Sequence, residues 1–367
     1  MTRAIDAVVA ALRSFDGRRV DLLVGEPCFE PPAELLEAFA RLGASGSGYG
    51  PPGGLVELRA LLAARDGGGA GPDRVVVTHG AKGGLLVLLA ALVEPGDEVV
   101  HPLPCYPAYP AMVRRLGGTP VAVPEGGDDF GGWAEVVAER LGPRTRAVVL
   151  SSPSNPTGTT LSPAALGELV ELCRERRVRL ILDEAYVAFR GATGAGVAAA
   201  DPELRTLVRV RSASKTFALC GWRIGWLVAD PALARKVEGV QAALLNPPAT
   251  PPQLALLALP DVPEAFFEAN RRAVRERLEA MAAALRGAGL DAAVPAGGFY
   301  LWVDVRSRLG GGSDTASWCQ ALARERGVGL WPGEDFGAPG FVRLALPGGQ
   351  AWRDDVAELG RRLAAGG

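Results

Sequence analysis

Lysine is nearly absent from this chain. Lysine and arginine together number 39, and the lysines among them are Lys82, Lys215 and Lys236. Any chemistry that needs an amine therefore has three candidates. The arginine bias, like the 48 glycines and 29 prolines, fits a GC-rich coding background rather than disorder. Cysteine is also sparse. Cys28, Cys105, Cys173, Cys220 and Cys319 form no CxxC pair and are odd in number, which argues against a disulfide framework and a zinc knuckle. No metal site is expected, and a reducing compartment fits.

Charge of one sign is missing too. The 39 basic residues face 41 acidic ones, for a net charge of -2, with no basic block or acidic tail to meet nucleic acid or a membrane surface. A small-molecule partner is expected instead. The longest apolar run, residues 85–93, falls well short of the roughly 20 residues that span a bilayer. Residues 1–16 interleave Arg3, Asp6 and Arg13 with apolar positions, unlike the continuous apolar centre of a signal peptide. The expected location is cytoplasmic.

What the chain has in quantity is apolar surface and alternation. At 367 residues and 48% hydrophobic it is long enough for about two domains of ~150 residues. Short β-branched runs alternate with helical stretches from about Arg74 to Asp230, the pattern of a parallel sheet wrapped by helices. Strands are expected at 74–77, 98–100, 147–151, 179–183, 206–211 and 224–228. Helices are expected at 81–93, 106–116, 163–176 and 231–245. The proline- and alanine-rich stretch 246–263 breaks the alternation and suggests a domain change. Beyond it, 263–287 reads as one long amphipathic helix and the remainder as a smaller α+β unit. The first forty residues are too few for a domain and are expected to pack against that unit.

Open parallel sheets hold ligands at the carboxyl ends of their strands, so the residues after each strand carry the functional signal. After the first come Thr78-His79-Gly80-Ala81-Lys82, a tight turn into a helix whose N–H groups suit a phosphate. After the third comes Ser152-Pro153-Ser154-Asn155-Pro156-Thr157-Gly158. The fourth ends in Asp183-Glu184-Ala185-Tyr186, and the fifth in Ser212-Ala213-Ser214-Lys215.

In order and spacing, Asn155–Gly158, Asp183–Tyr186 and the run from Ser212 to Trp226 resemble the class I/II aminotransferases, and within them the aspartate-aminotransferase-like branch. The resemblance runs from Gly25-Glu26-Pro27 to Phe341-Val342-Arg343-Leu344. It implies an α/β, fold-type-I architecture. A large three-layer α/β/α domain around a mostly parallel sheet would span residues 41–255, and a smaller α+β domain would be built from 1–40 and 256–367. The cofactor it implies is pyridoxal 5'-phosphate.

The same resemblance implies roles. Lys215 is the amine that bonds the cofactor aldehyde and later carries a proton. Asp183 faces the pyridine nitrogen and keeps it protonated. Asn155 and Tyr186 bond the ring hydroxyl oxygen, and Tyr106 stacks on the ring. Gly80, Ala81, Lys82, Ser212 and Arg223 cradle the phosphate. Arg343 grips the substrate α-carboxylate with two parallel bonds, alongside Asn155 and Gly25. Tyr49 is similar to a family position that reaches the phosphate of a neighbouring subunit, which implies a homodimer with shared active sites.

Bland alternatives stand beside several of these: a core tyrosine at 106, a loop tyrosine at 49, a structural arginine at 343, and a lysine at 82 that acts only through its backbone. His79 reads as a capping or packing residue, and Cys220 as filler. The activity implied is transfer of an amino group from an L-amino acid to a 2-oxo acid by a ping-pong route. In some aspartate-type relatives a lysine at the position of Lys82 is associated with an acidic substrate, aspartate or glutamate. C–S lyases, cyclopropane-forming synthases, decarboxylases and oxidases share the scaffold. A binding protein that lost its chemistry is a further alternative, against which stand the retained Lys215, Asp183 and Arg343.

Overall fold

The computed structural model describes residues 3–66, 71–127, 129–190, 200–310 and 314–364. In chain order the strands are β1 (Val20–Asp21), β2 (Val75–Thr78), β3 (Glu98–Leu103), β4 (Thr119–Pro124), β5 (Thr145–Ser151), β6 (Arg179–Asp183), β7 (Leu207–Ser212), β8 (Gly225–Val228), β9 (Tyr300–Asp304), β10 (Val328–Gly329), β11 (Trp331–Pro332) and β12 (Phe341–Ala345). Seven of them form the central sheet in the order β2-β8-β7-β6-β5-β3-β4. Neighbours from β7 to β4 run parallel, and β8 runs antiparallel to both β2 and β7.

The near-continuous apolar strands follow from burial on both faces. On one face the helices Gly80–Leu92, Ala108–Arg115 and Pro231–Leu244 pack Leu88, Val113 and Val237 onto Val76, Ile181 and Val210. On the other, Val56–Asp66, Trp133–Ala138 and Pro163–Glu175 pack Leu62, Trp133 and Leu169 onto Val77, Leu150 and Leu182. The result is a three-layer α/β/α body. Local chemistry starts the helices where the sequence says they should. Ser162 accepts from the Ala165 N–H at 3.2 Å and Asp230 from Ala232 and Leu233, each followed by a proline whose missing donor is no loss at that position.

A second core gathers the chain's two ends. Helix Ala4–Ser14 packs with the long helix Glu264–Gly287, with Thr315–Arg326 and Trp352–Ala364, and with the antiparallel sheet β11-β12-β9. β1 pairs in parallel with β10, and the exposed N–H groups of Ala4 and Ile5 at the first helix's start bond the Asp335 carboxylate at 2.8 and 3.0 Å.

Two expectations change. The edge strand β4 went unread, since Pro120 and Pro124 demote a strand unless it lies at an edge, which is where it lies. The stretch 246–263 holds a short helix, Thr250–Ala255, and a 3-10 segment whose Leu256 and Leu259 share a core with Leu35 and Leu58 of the large body. On this packing we propose that the division falls near 263 and that residues 33–40 go with the large body, rather than at 255 and 40.

Candidate active site

The carboxyl ends of β5, β6 and β7 open into a cavity of about 250 Å³ between the two bodies. Its lining brings together Gly25, Ala81, Lys82, Tyr106, Asn155, Asp183, Tyr186, Ser212, Lys215, Arg223 and Arg343, which the sequence scatters over more than three hundred positions. Four of the chain's five tyrosines, Tyr106, Tyr109, Tyr186 and Tyr300, are also there.

Lys215 lies on the first turn after β7. Half-buried, its Nζ donates to the Gly25 carbonyl at 2.5 Å and lies 3.5 Å from the Cys220 sulfur. Gly25 has to be glycine, because a Cβ would overlap the Tyr300 hydroxyl. Cys220, whose thiol donates to the Ser214 carbonyl at 3.3 Å, is thus a wall of the cavity and not filler.

Asp183 ends β6 and enters the cavity with 5% of its surface exposed. Oδ2 accepts the Tyr109 hydroxyl at 2.8 Å and Oδ1 the Ala185 N–H at 3.0 Å. Burial pushes its pKa up from 3.8 to about 6, while those two donors pull the other way. A carboxyl so placed is poised to accept a cation. Tyr106 meets Tyr109 edge to face, its ring centroid 5.6 Å away.

At the cavity's other end, Gly80 opens the helix Gly80–Leu92 with a φ of +69°, and a Cβ there would come within 2.5 Å of the Arg223 guanidinium. Arg223 itself is held in the left-handed region at φ 56°, a conformation of the kind that concentrates at functional sites. Its side chain lines this end of the cavity together with Ser212, Ala81 and Lys82, a set of donors that could hold a dianion. His79 occupies the N-cap position without a capping bond, and burial lowers its pKa.

Arg343, on β12, is 2% exposed. It donates to Asn155 Oδ1 at 3.0 Å and to the Leu23 carbonyl at 2.8 Å, and its buried Nε has no hydrogen-bond partner among the described residues. Tyr300 and Trp331 sandwich the guanidinium at 4.0 and 4.3 Å from its carbon to the ring centroids, an arrangement that stiffens a cation in a dry site. Tyr186 shares a 2.7 Å hydrogen bond with Tyr300, and burial raises its pKa well above the usual tyrosine range.

Two of the expected site residues are not on the cavity wall: Gly80, which lies against Arg223 behind it, and Tyr49, which is 90% exposed. Tyr109, Tyr300 and Trp331 are wall residues that the strand-end search missed. Tyr109 lies three residues beyond Tyr106, across the turn that enters the helix, where its N–H donates to the Tyr106 carbonyl at 3.1 Å, and that i, i+3 spacing was a usable signal. Trp331 had none.

An amine, a sunken carboxylate, an aromatic face and an anion cradle closed by a glycine that cannot bear a Cβ are what pyridoxal 5'-phosphate requires, and the residues fit it. Comparison with known proteins agrees. The family model "Aminotransferase class I and II" matches residues 18–357. An aspartate/prephenate aminotransferase of Thermus thermophilus is 35% identical over 357 residues, 94% of this chain and 90% of its own. A valine–pyruvate aminotransferase of Mycobacterium tuberculosis is 34% identical over 363 residues, 95% of this chain and 90% of its own. A solved Thermus thermophilus aspartate aminotransferase mutant superposes with a TM-score of 0.91 at 33% identity, covering 100% of this chain and 97% of that one. The chain belongs to the class I and II aminotransferases, pyridoxal-phosphate-dependent transaminases of fold type I.

Proposed function

We propose that Lys215 holds the cofactor and moves the proton of the reaction, that Asp183 pairs with the cofactor's ring nitrogen, and that Arg343 binds the substrate α-carboxylate. The observation that carries this is the convergence of the Lys215 amine, the nearly buried Asp183 carboxylate and the Arg343 guanidinium on one cavity. Pyridoxal phosphate, when bound, supplies an aldehyde that takes an amine covalently and a ring that withdraws electrons from the substrate Cα.

The protein's own groups do the rest. With the cofactor bound, Lys215 Nζ would be the base that takes and holds the proton of the substrate Cα. Asp183 stays anionic when a cation faces it, and Tyr109 keeps its carboxylate plane fixed. Ser212, Arg223 and the N–H groups of Ala81 and Lys82 would hold the phosphate end, and Tyr106 would offer its aromatic face to the ring. Asn155 and Tyr186 supply hydrogen bonds to the ring hydroxyl. Asn155 also orients Arg343, whose aromatic sandwich with Tyr300 and Trp331 excludes water and strengthens its grip on a carboxylate. The amino group stays on the enzyme between the two half-reactions, so kinetics are ping-pong.

Among the described residues four cationic side chains line the cavity: Lys82, Lys215, Arg223 and Arg343. With three given the roles above, Lys82 is left to meet a second carboxylate, so an acidic substrate, aspartate or glutamate with its matching 2-oxo acid, is the reading we favour. The aspartate/prephenate relatives support it. The valine–pyruvate relative supports a second reading, an apolar amino acid. Tyr49, with Val56 and Leu244 among the exposed apolar side chains, supports a homodimer in which the Tyr49 of one copy completes the phosphate cradle of the other. Among the described residues no helix is long and apolar enough to cross a membrane, in keeping with a cytoplasmic enzyme of amino-acid biosynthesis.

The test is absorbance of the holoenzyme against a panel of amino acids without acceptor. Aspartate and glutamate are expected to deplete the long-wavelength cofactor band and release one 2-oxo acid per site. A Lys82→Ala variant should lose that response to aspartate while keeping it with alanine. Ammonia with pyruvate, or peroxide, in place of the oxo acid would refute transamination, and a response to valine alone would refute the acidic substrate.

A further inference from the structure

Behind Asp183 the sheet carries an ionic cluster whose side chains, among the described residues, are not on the cavity lining. Successive strand residues face opposite ways, so where Asp183 enters the cavity, Glu184 enters the core beyond, with none of its side chain exposed. Three arginines converge on it. Arg209 Nε and Arg211 Nε each lie 2.8 Å from Glu184 Oε2, and Arg190 Nη2 lies 3.4 Å from Oε1. Asp66 extends the cluster: its carboxylate accepts the Trp226 indole N–H at 3.0 Å and lies 3.8 Å from Arg211 Nη1, and its carbonyl accepts from Arg209. Taking charges out of water is expensive, and clusters of this kind are often no better for stability than apolar packing. Stability alone gives little reason for one here.

Position gives a reason. Glu184 follows Asp183, and its own N–H bonds Val210 of β7 at 2.8 Å. Arg211 directly precedes Ser212 and the Lys215 turn. Arg190 reaches the Ser152 carbonyl at 3.5 Å, at the root of the loop bearing Asn155. The N–H of that same Ser152 bonds the Asp183 carbonyl at 3.0 Å. Trp226, joined through Asp66, lies three residues beyond Arg223. Glu184, joined to Asp66 through Arg211, thus links the four chain segments that present Asn155, Asp183, Lys215 and Arg223.

We propose that Glu184 is a positioning residue. From the far face of the sheet, through Arg190, Arg209 and Arg211, it sets the spacing between Asp183 and Lys215 and hence the angle at which the cofactor ring is held. This rests on the assignment of those two residues to the cofactor. Glu184 itself touches neither substrate nor cofactor.

The experiment compares two holoenzyme variants. Glu184→Gln keeps the shape and removes the charge that gathers the guanidiniums, whereas Leu180→Ala opens an ordinary cavity among the apolar residues of the same face. A misplaced reactive group is expensive, so Glu184→Gln should lose about half or more of its visible circular dichroism per bound cofactor and about tenfold in kcat with KM little changed. Leu180→Ala should lower the melting temperature and leave both readouts alone. Wild-type dichroism and kcat in Glu184→Gln overturn the proposal, as does an equal loss in Leu180→Ala. If Glu184→Gln does not fold, Arg211→Gln, which leaves two guanidiniums on Glu184, is scored by the same outcomes. Borohydride labelling of Lys215 in the wild type is indifferent to Glu184, so a missing label there marks failure of the cofactor assignment instead.

Discussion

Replacing Asp183 with asparagine removes a charge whose burial the fold opposes, and the cofactor-free protein should become more stable at neutral pH as its function is lost. The carboxyl is 5% exposed, and burial carries its pKa from 3.8 to about 6 against the pull of Tyr109 and the Ala185 N–H, with the Glu184 charge pushing the same way as burial. A carboxyl raised in the folded state contributes stability that is complete below the unfolded value and is lost as pH climbs through the folded one. At ~1.4 kcal/mol per pH unit, the rise from 3.8 to about 6 amounts to ~3 kcal/mol of lost stability. Asparagine is neutral throughout and keeps both contacts, accepting from Ala185 and donating to the Tyr109 oxygen. Unfolding free energies of the two cofactor-free proteins from urea titrations should therefore nearly coincide near pH 4, separate between pH 4 and about 6, and above that differ by up to ~3 kcal/mol in favour of the variant. Parallel curves across this range, or a variant less stable at pH 8, would refute the reasoning. The exchange of stability for a poised charge is common at active sites.

Tyr109→Phe removes a donor from that carboxylate, so the Asp183 pKa should rise further. The cofactor-free protein should lose an additional ~1.5–3 kcal/mol at pH 8 but little at pH 4, read by the same denaturation series. Trp331→Ala strips one face of the Arg343 sandwich, worth ~0.5–2 kcal/mol, and should raise KM for amino acids by about 2- to 30-fold with kcat less affected in steady-state assays. If Tyr49 serves the neighbouring subunit, mixing Tyr49→Ala with Lys215→Ala protein under conditions that exchange subunits should restore activity through hybrid dimers carrying one intact site. Persistent inactivity would place Tyr49 within its own subunit's site, and full activity of Tyr49→Ala alone would place it outside any.

The part of the molecule legible beforehand is the part encoded locally. Runs such as Val75–Thr78, Thr145–Ser151 and Arg179–Asp183 are apolar on both faces and end in polar turns, and the sheet then delivers those turns to one place. That is why Asn155, Asp183, Ser212 and Lys215 could be named in advance and found along one cavity. What escaped was set by distant partners. β8 runs against its neighbours although nothing in Gly225–Val228 marks direction. Trp331 and Tyr300 reach Arg343 from separate strands of the small body, and Leu35 leaves the N-terminal segment for the large core. The Arg190–Arg209–Arg211–Glu184 cluster was equally invisible, since arginines at alternate positions of a strand read as a solvated face until Glu184 is found buried between them.

The central claim is that the amine of Lys215 bonds the cofactor, and with three lysines in the chain it can be tested directly. Holoenzyme reduced with borohydride, digested and mapped by mass spectrometry should carry the reduced pyridoxyl group on the peptide containing Lys215, with Lys82 and Lys236 unmodified. A label on either of those two lysines, or a holoenzyme spectrum with no label on any of the three, would contradict the account.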